Sequence, residues 1–256
     1  MGMITLRRNI HGFMVSSRLA LLPTLLTNAM VAWVIMTGKQ PQHNQWQSYA
    51  IIVVTGLCYY LYGMWENDRV DARWDARHRP NKPIPRGDIS LMSLRIASMI
   101  AGASALILTG LQLSQGTTLG LGLLFIIIFY NWLHKHRPEA IILMGICRGG
   151  WVFLACALAF VATTGGNLTQ MIKSPQLSLC LYYALSLTLY TTVTTGIARG
   201  ESHSNSRHQW AFMLLAGMCI HDAIWLAYLS SWGIASAALG CFVLIPVLRR
   251  AGQSAT

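Results

Sequence analysis

A chain of 256 residues that is 54% hydrophobic and only 11% charged, with a mean hydropathy of +0.46, carries too much apolar surface for an ordinary soluble fold. Its net charge of +11 invites a nucleic-acid reading, but the basic residues are spread as membrane topology spreads them, so that reading has little left to explain. The expectation is one all-α integral membrane domain over residues 1–256, a bundle of about eight, up to nine, transmembrane helices around a central cavity open towards the cytoplasmic side.

The first two apolar runs, roughly residues 17–37 and 46–66, are each long enough to cross about 30 Å of hydrocarbon. Asn28 lies inside the first and should face the bundle interior, since a polar side chain is costly in lipid. Directly after the second run comes Asn67, Asp68, Arg69, Val70, Asp71, Ala72, Arg73, Trp74 and Asp75, where Glu66, Asp68, Asp71 and Asp75 make up half of the 8 acidic residues. In a helix, the spacing of Asp68, Asp71 and Asp75 puts all three on one face and Arg69, Arg73 and Arg77 on the other. Like charges on adjacent turns repel, so the face needs a cation among its carboxylates, and hard oxygens converging on one point suit Mg²⁺.

The segment from Arg79 to Asp88 holds Pro80, Pro83, Pro85 and Gly87, which end the helix and hold Arg79, Lys82 and Arg86 beside the acidic face. Acid, metal and basic loop together suit a metal-bound diphosphate, because Lys and Arg neutralise the outer oxygens. The plainer alternative is a basic membrane-proximal loop whose acids balance its arginines, which does not require a one-face acidic spacing.

Further spans are expected at roughly residues 90–112, 117–133, 141–163, 176–197, 210–231 and 232–248. Tyr130 to Lys135 lies where the fourth of the eight spans ends, and Arg148 lies inside the fifth, within reach of either a diphosphate or Asp222. His221 and Asp222 sit inside the seventh and are read mainly as structural. The 6 cysteines all fall within spans, without metal spacing, and read as small packing residues. With both termini cytoplasmic, Lys39 and Lys173 alone among 19 Lys and Arg residues fall on the opposite face, a strong positive-inside asymmetry that places the chain in the cell inner membrane as a multi-pass protein.

The Asn67, Asp68, Asp71, Asp75 pattern resembles the N-D-x-x-D-x-x-x-D signature of the UbiA superfamily of intramembrane prenyltransferases. Asn81, Lys82, Pro83, Pro85 and Gly87 resemble its N-R-P-L-P-S-G loop, with Lys in place of Arg. Tyr130 to Lys135, followed by Gly145, is similar to its Y-P-x-x-K-R segment. One departure stands out: where such proteins carry a second acid-rich motif, this chain reads Ile197 to Asn205 with Glu201 as its single carboxylate. That segment and the triplet Cys147, Arg148, Gly149 resemble the Ebo-type bacterial branch.

The resemblance implies transfer of an isoprenoid chain from a prenyl diphosphate to a small acceptor in the lipid bilayer, with Mg²⁺ as cofactor. It implies Asp68, Asp71, Asp75 and Glu201 as metal ligands, and Asp68, Asp71, Lys135 and Glu201 as catalytic residues. Asn28, Asn67, Arg79, Lys82, Arg86, Tyr130, His134, Arg148, Arg199 and His203 are the substrate-binding candidates. Aromatic faces near the mouth, including Tyr59, Tyr60, Tyr62, Trp65, Tyr130, Trp132 and Tyr190, are suited to a prenyl cation or to the membrane interface. A terpene cyclase and a non-catalytic lipid-binding or transport component that has lost the second acidic motif are the alternatives.

Overall fold

The computed structural model describes residues 2–200 and 212–254; of residues 2–7, 199–200 and 249–254 it describes the backbone alone. All regular structure among them is helical: α1 (Gly2–Ser16), α2 (Leu22–Thr37), α3 (Trp46–His78), α4 (Leu91–Gln112), α5 (Gly116–Leu133), α6 (Ala140–Thr164), α7 (Leu168–Ile172), α8 (Leu177–Gly200), α9 (Met218–Tyr228) and α10 (Trp232–Ser254), with short 3₁₀ turns before α2 and α3. Six of these are long and apolar enough to span a membrane, and Phe212–Tyr228 and Trp232–Leu248 add two shorter apolar helices. The expected eight runs are therefore present, and the chain is a multi-pass membrane protein.

α2 is the centre of the bundle, with 72% of its apolar stretch buried against 28% for α3. Pro23 opens it, where a missing backbone N–H costs nothing, and Gly38 at φ 71° closes it with an N–H bond to Val34 O. α6 packs on α2, α5 and α8. Gly145 and Gly149 bring α6 against Thr188 and Thr192 of α8 so closely that a Cβ at either would overlap a threonine hydroxyl. Outward faces carry Leu111, Phe125, Val193 and Ile224, all well exposed, as a lipid-facing surface requires.

Three features differ from the sequence expectation. The second span does not stop at 66: α3 runs for 33 residues, about 50 Å at 1.5 Å per residue, and so outlasts the hydrocarbon by several turns. The acid motif rides on that rigid extension, which ends where Arg79 turns out of the helix ahead of Pro80. The seventh span is broken, since residues 212–216 are helical and reach α9 through a turn at Gly217, the point where the Tyr190 hydroxyl leaves no room for a Cβ. Before the first span, α1 forms an extra helix tied to α3 by Trp65 Nε1, which donates to Ser17 Oγ at 3.0 Å, and by the Phe13 and Trp65 rings.

Candidate functional site

On the α3 extension Asp68, Asp71 and Asp75 are 6%, 5% and 1% exposed, whereas Arg73 and Arg77 point to solvent. The one-face arrangement is thus present, and neighbouring elements cover it. Arg69 is half-buried and bonds Glu66, which also accepts from Ser98 at 3.2 Å.

The Pro-rich loop folds back so that Lys82 Nζ donates to Asp75 Oδ2 at 2.8 Å and to Asp68 Oδ1 at 3.2 Å. From the end of α5, Lys135 Nζ lies 2.9 Å from Asp71 Oδ1 and His134 Nε2 lies 3.3 Å from the same oxygen. The cation that the acidic face demands is supplied here by two lysines. Lys135 also sits 3.9 Å above the Trp74 ring, one turn along α3 from Asp71, and His78 stacks on that indole.

The other candidates separate into two groups. Arg79 lies over Trp74 at 5.3 Å and is exposed, and Arg86 is 3.3 Å from Asp88 Oδ2, so neither touches the acid cluster. Asp88 is 3% exposed and also holds Arg8, whose Nη2 donates to it at 2.9 Å and to Arg86 O at 3.2 Å. Asn28 is fully buried and donates to Asp222 Oδ2 at 2.7 Å and to the Tyr183 hydroxyl at 3.2 Å. Asp222 further accepts from Thr27 and Tyr183, which makes it a satisfied structural anchor among α2, α8 and α9. Asn67 is half-buried beside Asp68. Glu201 and His203 lie outside the described residues, as does the side chain of Arg199. α8 returns towards the acid-bearing end, its Gly196 beside Ile141 of α6.

Below the acid cluster a cavity lies between α2, α3, α5 and α6. Tyr59, Tyr60, Ile127, Tyr130, Arg148 and Trp151 are among its walls. Trp151 lies across Gly56, where any Cβ would overlap the indole. Of the other aromatic candidates, Trp132 is 64% exposed and faces outward, Tyr62 borders a separate groove with Glu66 and Arg95, and Tyr190 donates to Leu214 O. Trp74, Trp151 and the Arg8–Asp88 pair escape a sequence reading; the spacing of Trp74 from Asp71 and of Trp151 from Arg148, one helical turn each, is the signal that finds the first two.

Among the described residues no three acidic, histidine or cysteine side chains converge closely enough to enclose a metal unaided. Mg²⁺ does not require that, since it keeps several waters and takes one or two carboxylates together with phosphate oxygens. Asp75 Oδ1 is buried without a hydrogen-bond partner, an orphaned hard oxygen of the kind such an ion takes. The donor chemistry of Asp68, Asp71 and Asp75 fits Mg²⁺ on those terms.

A family model described as the UbiA prenyltransferase family matches residues 25–254. Among solved structures, the apo structure of a UbiA homolog from Aeropyrum pernix K1 is similar in fold, with a TM-score of 0.60 and 18% identity over 91% of this chain and 89% of that one. A search of curated proteins found no match.

Proposed function

Because this chain belongs to the UbiA prenyltransferase family, we propose that it is a Mg²⁺-dependent enzyme that transfers an isoprenoid chain from a prenyl diphosphate to a small acceptor inside the membrane. The observation that carries this reading is an acidic face, engaged by Lys82 and Lys135, that begins one helical turn along α3 from Met64, which with Tyr59, Tyr60 and Tyr130 lines a cavity.

Asp68, Asp71 and Asp75 would hold Mg²⁺, which when bound neutralises charge on the departing diphosphate. Lys82 and Lys135 touch those carboxylates and would add positive charge where the leaving group gathers negative charge. The apolar walls keep water from the prenyl cation, and the ring faces of Tyr59, Tyr60 and Tyr130 stabilise it. Glu201, with His203 and Arg199, is assigned to a reduced second diphosphate-binding segment. The basic-residue distribution supports placing both termini and this site on the cytoplasmic face of the inner membrane. The Cys147, Arg148, Gly149 triplet supports the Ebo-type branch.

The test is incubation of the purified protein with Mg²⁺, prenyl diphosphates of several chain lengths and a panel of small acceptors, with pyrophosphate release and lipid products read by mass spectrometry. Acceptor-linked prenyl products support transfer, cyclised hydrocarbons without acceptor point to a terpene cyclase, and no release with any donor removes the enzymatic reading.

A further inference from the structure

Outside the central cavity, α3 and α4 enclose a second groove: α3 contributes Tyr62, Glu66 and Arg69, and α4 contributes Arg95, Ser98 and Met99. The positions repeat at three- and four-residue intervals, so each helix presents one stripe to the groove. Gly102 brings the helices together below it, because a Cβ there would lie 2.9 Å from the Tyr62 ring. Glu66 is fully engaged, accepting from Arg69 Nε at 2.9 Å and Nη2 at 2.5 Å, and from Ser98 Oγ at 3.2 Å. Arg95 is exposed, and among the described residues its guanidinium meets neither a carboxylate nor a hydrogen-bond acceptor. Two guanidiniums and one carboxylate leave the groove one positive charge in excess. The setting of Arg95 indicates what balances it. Met92, Ile96, Met99 and Ile100 around it on α4 are all well exposed, as on a lipid-facing surface. Arg95 stands about 6 Å along α4 from Leu91, in a helix of 22 residues that just spans the hydrocarbon, which puts its charge at headgroup depth.

We infer that this groove is a binding site for one anionic phospholipid, whose phosphodiester is held by Arg95 and the outer edge of Arg69 while its acyl chains run down α4 over Met99 and Ile100. A guanidinium presents paired N–H donors that match phosphate oxygens, and basic recesses between membrane helices suit anionic headgroups. The single excess charge matches a lipid with one net negative charge and leaves a zwitterionic lipid less favoured. The site is separate from the acid cluster, since Asp68, Asp71 and Asp75 are met on another face of α3 by Lys82 and Lys135. It therefore stands whether or not the chain transfers prenyl groups.

The experiment is native mass spectrometry of the full chain, delipidated in neutral detergent, titrated with phosphatidylglycerol or phosphatidylcholine of identical acyl chains. Ammonium acetate at about 0.15 M screens diffuse attraction beyond about 8 Å. The first phosphatidylglycerol should bind about tenfold more tightly than phosphatidylcholine, as expected for hydrogen bonds to a charged group. Arg95→Gln should erase that preference, and Arg95→Lys, which keeps the charge without the fork, should retain part of it. Arg77→Gln, at a solvent-facing position of α3, should leave it unchanged. Lipid-free Arg95→Gln should melt with the native protein, because no protein partner is lost; earlier melting would give Arg95 a structural role and count against the site. Equal affinity for the two lipids, or equal losses in Arg77→Gln and Arg95→Gln, would reduce the binding to general attraction and overturn the site. Displacement of phosphatidylglycerol by inorganic phosphate in excess would overturn the lipid assignment in favour of a free phosphate ligand, and its failure to displace supports the lipid.

Discussion

Lys82 Nζ reaches Asp75 Oδ2 at 2.8 Å from beyond the end of α3, and so clamps the Pro-rich loop onto the acidic face. Its ammonium occupies ground that a divalent ion would otherwise take. Lys82→Met should leave Asp68 and Asp75 unpaired and cost about 1–3 kcal/mol or more without metal, the penalty for stranding buried charged partners. Mg²⁺ should then raise the melting temperature of Lys82→Met more than that of the native protein. Parallel melting curves for the two across a Mg²⁺ titration would show that the carboxylates bind no ion.

Asp71 is met by Lys135 and His134 through the same Oδ1. Asp71→Asn should lower Mg²⁺-dependent turnover by about 10²-fold or more, the scale seen when one electrostatic contact to a developing charge is lost. Metal-free stability should fall as well, because the carboxylate now engages cations where the sequence alone suggests only mutual repulsion. Steady-state turnover and a melting curve on one preparation check both halves, and undiminished turnover would contradict the assignment.

Trp74 carries Lys135 on one ring face at 3.9 Å. Trp74→Ala should free that ammonium and reduce kcat by about three- to tenfold, a cation–π contact of ordinary strength, while Trp74→Phe retains most of the rate. A purely structural role predicts equal rates in both variants at equal stability, so the rate ratio between them decides.

Spans and acid face were legible in the sequence because each follows from a local period: apolar length for the spans, and a three- and four-residue spacing for Asp68, Asp71 and Asp75. The choice among nearby cations was not. Arg79, Lys82 and Arg86 are equally close to the motif in sequence, but Arg86 is claimed by Asp88 together with Arg8 from α1, and Arg79 by Trp74. Those are long-range contacts that no local pattern encodes. Trp151 was hidden for a different reason: in a wholly apolar span, hydropathy does not tell a cavity wall from a helix interface or a lipid face.

Topology gives a test independent of chemistry. Single cysteines at Gln42 and Asn167, in a background without native cysteines, should react with an impermeant reagent from outside the cell, and a cysteine at Asn81 should not. The first two sit in the connections before α3 and α7, at the ends of the bundle remote from Lys82. Labelling of position 81 from the outer side would invert the orientation drawn from the basic residues.

Glu201, which follows α8 in sequence, is the remaining carboxylate proposed for the site. If it completes a reduced second metal position, Glu201→Gln should weaken prenyl diphosphate and Mg²⁺ binding together, because one ion bridging carboxylate and phosphate couples the two. The loss should be larger at limiting Mg²⁺ than at saturation. If Arg199 and Arg207 instead make the segment a plain positive-inside anchor, the substitution leaves substrate affinity and its metal dependence alone. Substrate-dependent thermal stabilisation measured across a Mg²⁺ titration separates the cases. Superimposable curves for native and Glu201→Gln protein would confine the metal chemistry to Asp68, Asp71 and Asp75.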